Sequence, residues 1–151
     1  MSPRALSVVV DTNGWISGAL MRAGVPAALI RQTALRARPV VTVDTFNELS
    51  ERLWRPKFDR YISIEQRKRL LGDLNVIAHW VKVQPETAAR TFCRDASDNK
   101  FIHAATAADA AWLITGDQDL LVLAEPLLPF GVRALAPAAA LATSESAAAI
   151  N

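Results

Sequence analysis

The run Val8-Val9-Val10, closed by Asp11, constrains the fold of this chain more than any other feature. It ends a near-continuous apolar stretch, Ala5 to Val10, bounded by Pro3 and by Asp11-Thr12-Asn13-Gly14. A strand with one face in water alternates apolar and polar residues, because successive side chains point to opposite faces. A β-branched run without that alternation is apolar on both faces. Such strands belong to parallel sheets covered on both sides by helices.

The rest of the chain supplies matching parts. Pro39 to Val43, Trp80 to Val83, Trp112 to Thr115 and Phe130 to Ala134 read as further short strands. Helical spacing runs from Trp15 to Met21 and from Ala27 to Ala37, with Gly24 and Pro26 between them. Asp44 or Thr45 caps a helix to about Trp54, stopped by Arg55-Pro56, and Ser63 opens another through Ile77. Pro85 to Phe92, Asp98 to Ala111 and Asp119 to Ala124 follow, and Pro137 begins a terminal helix that fades from Thr143. This alternation predicts an α/β fold, a three-layer α/β/α sandwich around a central parallel sheet of four or five strands. A chain of 151 residues suits one domain, here 1–142, with 143–151 as a flexible tail of small residues.

Cys93 is the only cysteine, which excludes internal disulfides and cysteine-ligated zinc clusters and favours a reducing compartment. The N-terminal apolar run is too short for a signal peptide, and no stretch of membrane-spanning length is free of charge. A cytoplasmic protein without a membrane partner is expected. Seventeen basic and fifteen acidic residues leave a net charge of only +2, so the positions of the charges matter more than their sum.

Open parallel sheets gather ligand chemistry beyond the carboxyl ends of their strands. Asp11 follows the first strand directly, and Asp117 follows Trp112 to Thr115 after one glycine. Asp98 begins the preceding helix, and Glu48 lies in the first turns of the helix after Pro39 to Val43. Four carboxylates from four segments therefore converge on one edge. Like charges repel there unless a cation or a shared proton offsets them, and oxygen donors without cysteine or paired histidine suit Mg²⁺ or Mn²⁺. Such an ion activates water and neutralises charge on a phosphodiester, the chemistry of metal-dependent nucleases. In this reading Asp11 and Asp98 hold the principal metal. Glu48 binds it through water or positions the attacking water, and Asp117 completes the ring or serves a second ion. Asp95 and Asp119 are additional acids nearby.

Each acid also has a structural explanation. Asp11 suits a helix cap, Glu48 stands three residues after Thr45 as in a capping box, Asp98 matches a helix dipole, and Asp117 fits a turn. An aspartyl-phosphate chemistry on Asp11 is disfavoured, since Asn13 stands where a second acid is needed and the only later lysine after Asp98 is Lys100, inside a helix. Gly14 and Gly18 lack the rest of a phosphate-loop signature.

Arg55, Lys57 and Arg60 past the Glu48 helix offer phosphate contacts, whereas Arg67, Lys68 and Arg69 read as a solvated helix face. Arg94 and Lys100 flank Asp98 and are better placed. Trp15, Trp54 and Tyr61 suit base stacking or core packing. His79 and His103 read as structural, and Cys93 as a small buried hydrophobe. Apolar residues among Ala19 to Ile30 or Leu120 to Leu128 offer a dimer face.

Four blocks carry a family resemblance: Val8-Val9-Val10-Asp11-Thr12-Asn13 with Ser17; Thr45-Phe46-Asn47-Glu48-Leu49 through Leu53 with Arg55-Pro56-Lys57-Phe58; Arg94-Asp95-Ala96-Ser97-Asp98-Asn99-Lys100-Phe101 with Ala104-Ala105; and Leu113-Ile114-Thr115-Gly116-Asp117-Gln118-Asp119-Leu120-Leu121. In order and spacing, from about Ser7 to Leu141, the chain resembles the PIN-domain ribonucleases. The resemblance implies a compact α/β/α fold, a Mg²⁺ or Mn²⁺ pocket at Asp11, Glu48, Asp98 and Asp117, and endonuclease activity on single-stranded RNA. It implies polar support from Thr12, Asn13 and Thr115. It is nearest to the toxins of prokaryotic toxin-antitoxin pairs, which implies a cognate antitoxin and a homodimer. The alternative is a catalytically weak or inactive PIN-fold module that binds RNA or a partner.

Overall fold

A computed structural model describes residues 6–20 and 37–150, with side chains as far as Thr143. Its five strands, β1 (Leu6–Val10), β2 (Ala37–Val41), β3 (His79–Trp80), β4 (Trp112–Ile114) and β5 (Arg133–Leu135), form one sheet in the order β3-β2-β1-β4-β5. Every pairing is parallel. The described helices are α1 (Thr12–Leu20), α2 (Val43–Leu53), α3 (Ile64–Ile77), α4 (Pro85–Ala88), α5 (Asn99–Ala107), α6 (Gln118–Leu121), α7 (Ala124–Leu127) and α8 (Pro137–Ile150).

The non-alternating strand has the meaning expected of it. Val8, Val9 and Val10 are all buried, but in two different cores. Val8 and Val10 pack with Ile16, Leu49, Leu53 and Leu74 on one face. Val9 packs with Phe101, Ile102, Leu113 and Leu127 on the other. Successive residues of β1 thus serve opposite layers, and the three-layer sandwich follows. The chain adds β2 and β3 on one side of β1 and then crosses to add β4 and β5 on the other. The strand order therefore reverses between β1 and β4, the place where open α/β sheets bind ligands.

Element boundaries moved where a local hydrogen bond outcompeted the repeating pattern. β2 ends at Val41, and neither Asp44 nor Thr45 caps α2. Thr42 does so, because its hydroxyl accepts from the Thr45 amide while the Thr45 hydroxyl accepts from the Thr42 amide. Ser63 opens α3, as the sequence predicts, and Gln66 completes a reciprocal cap with it. α4 stops at Ala88 rather than Phe92, since the Phe92 and Cys93 amides donate to the Asn99 side chain. α5 ends at Ala107 rather than Ala111, where Asp109 enters the left-handed region at φ 49°. β5 starts only at Arg133, after Gly131 at φ 76° closes a 3₁₀ turn over Leu128–Phe130. β3 is shorter than predicted, and α7 adds a helical turn that the spacing does not announce. α8 continues to Ile150, across residues read as a fading tail, in keeping with alanine's high helix propensity.

The helix read over Ala27 to Ala37 lies outside the described residues except for Ala37, which begins β2. Most of the Ala19 to Ile30 dimer face lies outside them as well. Among the described residues no helix is long and apolar enough to cross a membrane.

Candidate acidic site at the strand-order reversal

Asp11 continues β1 by one residue, and its amide donates to the Ile114 carbonyl at 3.2 Å. Its side chain is 5% exposed. Oδ1 accepts from the Gly14 amide at 2.8 Å, and Oδ2 accepts from the Thr115 hydroxyl. The Thr115 oxygen in turn accepts from the Asp117 amide at 2.9 Å, so one threonine at the end of β4 ties both acids together. Burial pushes the Asp11 carboxyl above its ordinary range, and the Thr115 and Gly14 bonds pull against it. Asp117 and Glu48 add repulsion, and the outcome is a raised carboxyl.

Asp98 stands where a 3₁₀ turn over Ala96–Asp98 runs into α5. Burial is the first cause of its raised carboxyl, followed by the charges of Asp117, Asp95 and Glu48, with Arg52 opposing. Asp11 and Asp98 therefore respond to the same two neighbours, Asp117 and Glu48. The four acids share one electrostatic neighbourhood.

Glu48 is not the far end of a capping box, because Thr42 and Thr45 already form one. Released from that task, its Oε2 accepts from the Thr12 hydroxyl, and its Oε1 accepts from Lys100 Nζ at 3.1 Å and Arg52 Nη2 at 3.0 Å. Asp117 has a local duty too, accepting the Asp119 amide at 2.9 Å as the cap of α6. Asp95 is exposed and caps the 3₁₀ turn by accepting from the amide and hydroxyl of Ser97, which lowers its carboxyl. Asp119 is exposed on α6.

Thr12 and Thr115 thus support the acids, while Asn13 is exposed. Trp15 is core rather than a stacking surface. Trp54 and Tyr61 remain open to solvent. Arg67 is not on a solvated face: it is 3% exposed, pairs with Asp59 at 3.0 Å and lies 5.3 Å from the Trp54 ring centre. His103 Nε2 lies 2.7 Å from the Arg90 carbonyl, a structural contact. Cys93 is buried, with its thiol pushed up to about 11 by burial and by Asp98, Asp117, Asp95 and Asp119.

Two residues escape a reading by sequence. Arg52 carries an i,i+4 signal to Glu48 that was available. Asn99 carries none, because its acceptor oxygen closes a loop on Phe92 and Cys93 at 2.9 Å each. Asn99→Ala should strand two amides, cost about 1–3 kcal/mol in urea unfolding, and speed hydrogen exchange at residues 92 and 93. Thr115→Val should move the Asp11 carboxyl further up, since it removes the strongest hydrogen bond opposing its burial. A carboxyl NMR titration reads that shift directly, and an unmoved titration would detach Thr115 from Asp11.

Among the described residues no three histidine, cysteine, aspartate or glutamate side chains converge closely enough to enclose an ion. The donor chemistry still fits Mg²⁺, which keeps several waters and takes only one or two carboxylates. Burial raises the Asp11 and Asp98 carboxyls first, and the charges of Asp117 and Glu48 add a repulsion that a cation would offset.

The PIN domain family model matches residues 7–119. The uncharacterized protein MJ1680 of Methanocaldococcus jannaschii is 30% identical over 122 residues, covering 78% of this chain and 75% of that protein. PAE2754 of Pyrobaculum aerophilum has a similar crystal structure, with a TM-score of 0.61 at 17% identity over 96% of this chain and 99% of the other. VapBC2 of Rickettsia felis, crystallised with a DNA fragment from its promoter, gives 0.54 at 10% identity over 87% and 98%. These two likenesses speak for the fold, and the family match covers all four acids. The chain belongs to the PIN-domain family.

Proposed function

We propose that the protein is a Mg²⁺- or Mn²⁺-dependent endoribonuclease that cleaves single-stranded RNA and serves as the toxin of a toxin-antitoxin pair. One observation carries the nuclease reading. Asp11, Glu48, Asp98 and Asp117 come from four segments to the strand-order reversal, and Asp11 and Asp98 are raised there by burial and by the same two acids. When bound, a divalent ion lowers the pKa of a water and offsets charge growing on the phosphodiester oxygens. Asp11 and Asp98 would offer the oxygens to hold it, and Asp117 would complete the set or serve a second ion. Glu48, whose oxygens already accept from Thr12, Arg52 and Lys100, would bind it through water or position the attacking water. Gly14 and Thr115 hold Asp11 in place before substrate arrives. A separate groove of about 530 Å³ opens past the ends of β2 and β3, with Thr42, Asp44, Trp80 and Lys82 in its wall and none of the four acids.

The toxin role draws on the fold shared with VapBC2, so a small protein antitoxin is the partner to seek. Val122 and Leu128, 70% and 59% exposed, suit a homodimer face within Leu120 to Leu128. The free Cys93 suits the cytoplasm. Residues 1–142 are taken as the nuclease domain and 143–151, which include the last turns of α8, as its tail.

Purified protein with Mn²⁺ or Mg²⁺ is expected to cut unstructured RNA, and Asp11→Asn or Asp98→Asn to stop it. The pairing of Glu48 with two cations favours a second reading, a weak or inactive module that binds RNA or a partner. Tight RNA binding without cleavage under either ion selects that reading.

A further inference from the structure

Glu48 holds more positive charge than one carboxylate needs. Lys100 Nζ and Arg52 Nη2 both reach Oε1, at 3.1 and 3.0 Å, while the Thr12 hydroxyl takes Oε2. Two cations thus face one anion, and they come from different elements, Arg52 from one turn further along α2 and Lys100 from α5, two residues past Asp98. A pair that serves the fold alone is exemplified nearby by Arg67, whose side chain is buried against Asp59. Lys100 and Arg52 are different. Their side chains stay 25% and 34% exposed. Lysine has three N–H donors and arginine five, so contact with Glu48 leaves donors on both. Both cations also act on the neighbouring acids: each lowers the Asp95 carboxyl, and Arg52 opposes the rise at Asp98.

The mouth of the site is therefore two-signed, with acids at the ends of β1 and β4 and cations over α2 and α5. Three carboxylates repel an approaching phosphodiester, and a cation pair beside them offsets that repulsion without adding a charge to the acid cluster. Guanidinium is suited to such a target because its fork matches two phosphate oxygens at once.

We propose that Lys100 and Arg52, held on Glu48, form a binding site for a backbone phosphate of single-stranded RNA beside the bond that is cut. Glu48 is then a positioning residue for the two cations as well as a member of the acid cluster. The proposal rests on the ribonuclease reading for its substrate, but binding to RNA without any divalent ion tests it separately.

The probe is a fluorescein-labelled twelve-nucleotide oligouridine in EDTA, with affinity measured by anisotropy across a range of NaCl concentrations. Each phosphate contact on a single strand contributes about 0.7 to the slope of log affinity against log salt. Lys100→Met and Arg52→Met are each expected to flatten the slope, the double variant by about that amount in total, and Lys100→Arg to retain it. Lys68→Met, an exposed charge on α3, is expected to leave it unchanged. Unchanged slopes in the first two variants, with only a lower melting temperature, overturn the proposal and return both residues to the fold. Equal flattening by Lys68→Met overturns it as well, because the effect is then a general field. If the wild type cleaves RNA with Mn²⁺ yet these slopes do not move, the ribonuclease reading stands and the phosphate site falls. If the slopes move but no ion supports cleavage, the site stands within a binding module.

Discussion

Asp98→Asn should end RNA cleavage while making the folded protein more stable at neutral pH. The two effects have one origin. Burial, and then Asp117, Asp95 and Glu48, raise the Asp98 carboxyl above its ordinary value of 3.8. A folded-state carboxyl that holds its proton more tightly than the unfolded one makes stability fall as pH rises from about 3.8 through the raised folded value. Above that window the ionised carboxylate is a standing cost. Asparagine keeps the shape and removes the charge, so the melting temperature at pH 7 should rise by about 1–3 °C, with the gain shrinking towards pH 4. The same charge is what a divalent ion requires. Losing several kcal/mol of charge stabilisation corresponds to a cleavage rate lower by about 10²–10³-fold. Single-turnover cleavage with Mn²⁺ and melting curves at pH 4 and 7 check both halves. Wild-type cleavage by the variant removes Asp98 from the reaction, and a lower melting temperature at pH 7 removes the electrostatic account. Asp11→Asn should match the loss of cleavage without the same gain, because its oxygens accept from Gly14 and Thr115.

Gly14→Ala is expected to harm activity far more than stability. A Cβ at this position would sit 2.7 Å from Val10 Cγ1 and 2.9 Å from Asp11 Oδ1. Neither atom has room to retreat: Val10 belongs to the core shared with Ile16 and Leu49, and Asp11 is tethered at both oxygens. Crowding of this kind costs about 1–3 kcal/mol, offset in part by the roughly 1 kcal/mol that alanine gains over glycine inside a helix. With Val10 fixed in the core, the residual strain falls on the Asp11 carboxyl and strains its bonds to Gly14 and Thr115. Displacement of a reacting group by about 1 Å lowers rates roughly 100-fold. Urea unfolding should therefore show a loss below about 2 kcal/mol beside a much larger fall in cleavage. Wild-type kinetics in this variant would mean that the position of Asp11 is not critical.

The parts legible in the sequence were those written as local contrast between neighbours. Val8 to Val10 against Asp11, and Leu113-Ile114 against Asp117, mark strands that run from core to edge, and the alternation with helices gave the three layers. Site residues at strand ends inherit that legibility. What stayed hidden depends on partners distant in sequence or on competition between close equivalents. Thr42, Asp44 and Thr45 all suit a helix cap, and only the reciprocal hydroxyl-amide pair decides for Thr42. That choice also frees Glu48 from a capping role. Arg67 sits in a charged triplet that reads as solvated, and it is the cover from Trp54 and Asp59 that buries it. The contact of Lys100 with Glu48 spans 52 positions and has no local sign.

The hydrogen bond from Thr115 to Asp11 joins residues 104 positions apart. During synthesis from the amino end, β1 therefore emerges long before the strand that completes its acidic edge. At about 5–20 residues per second, the interval is roughly 5–20 s. Through that interval the growing chain remains attached to a messenger and lacks Thr115 and Asp117. The order in which the strands are made thus leaves the acid cluster incomplete until β4 and the residues just after it have been added.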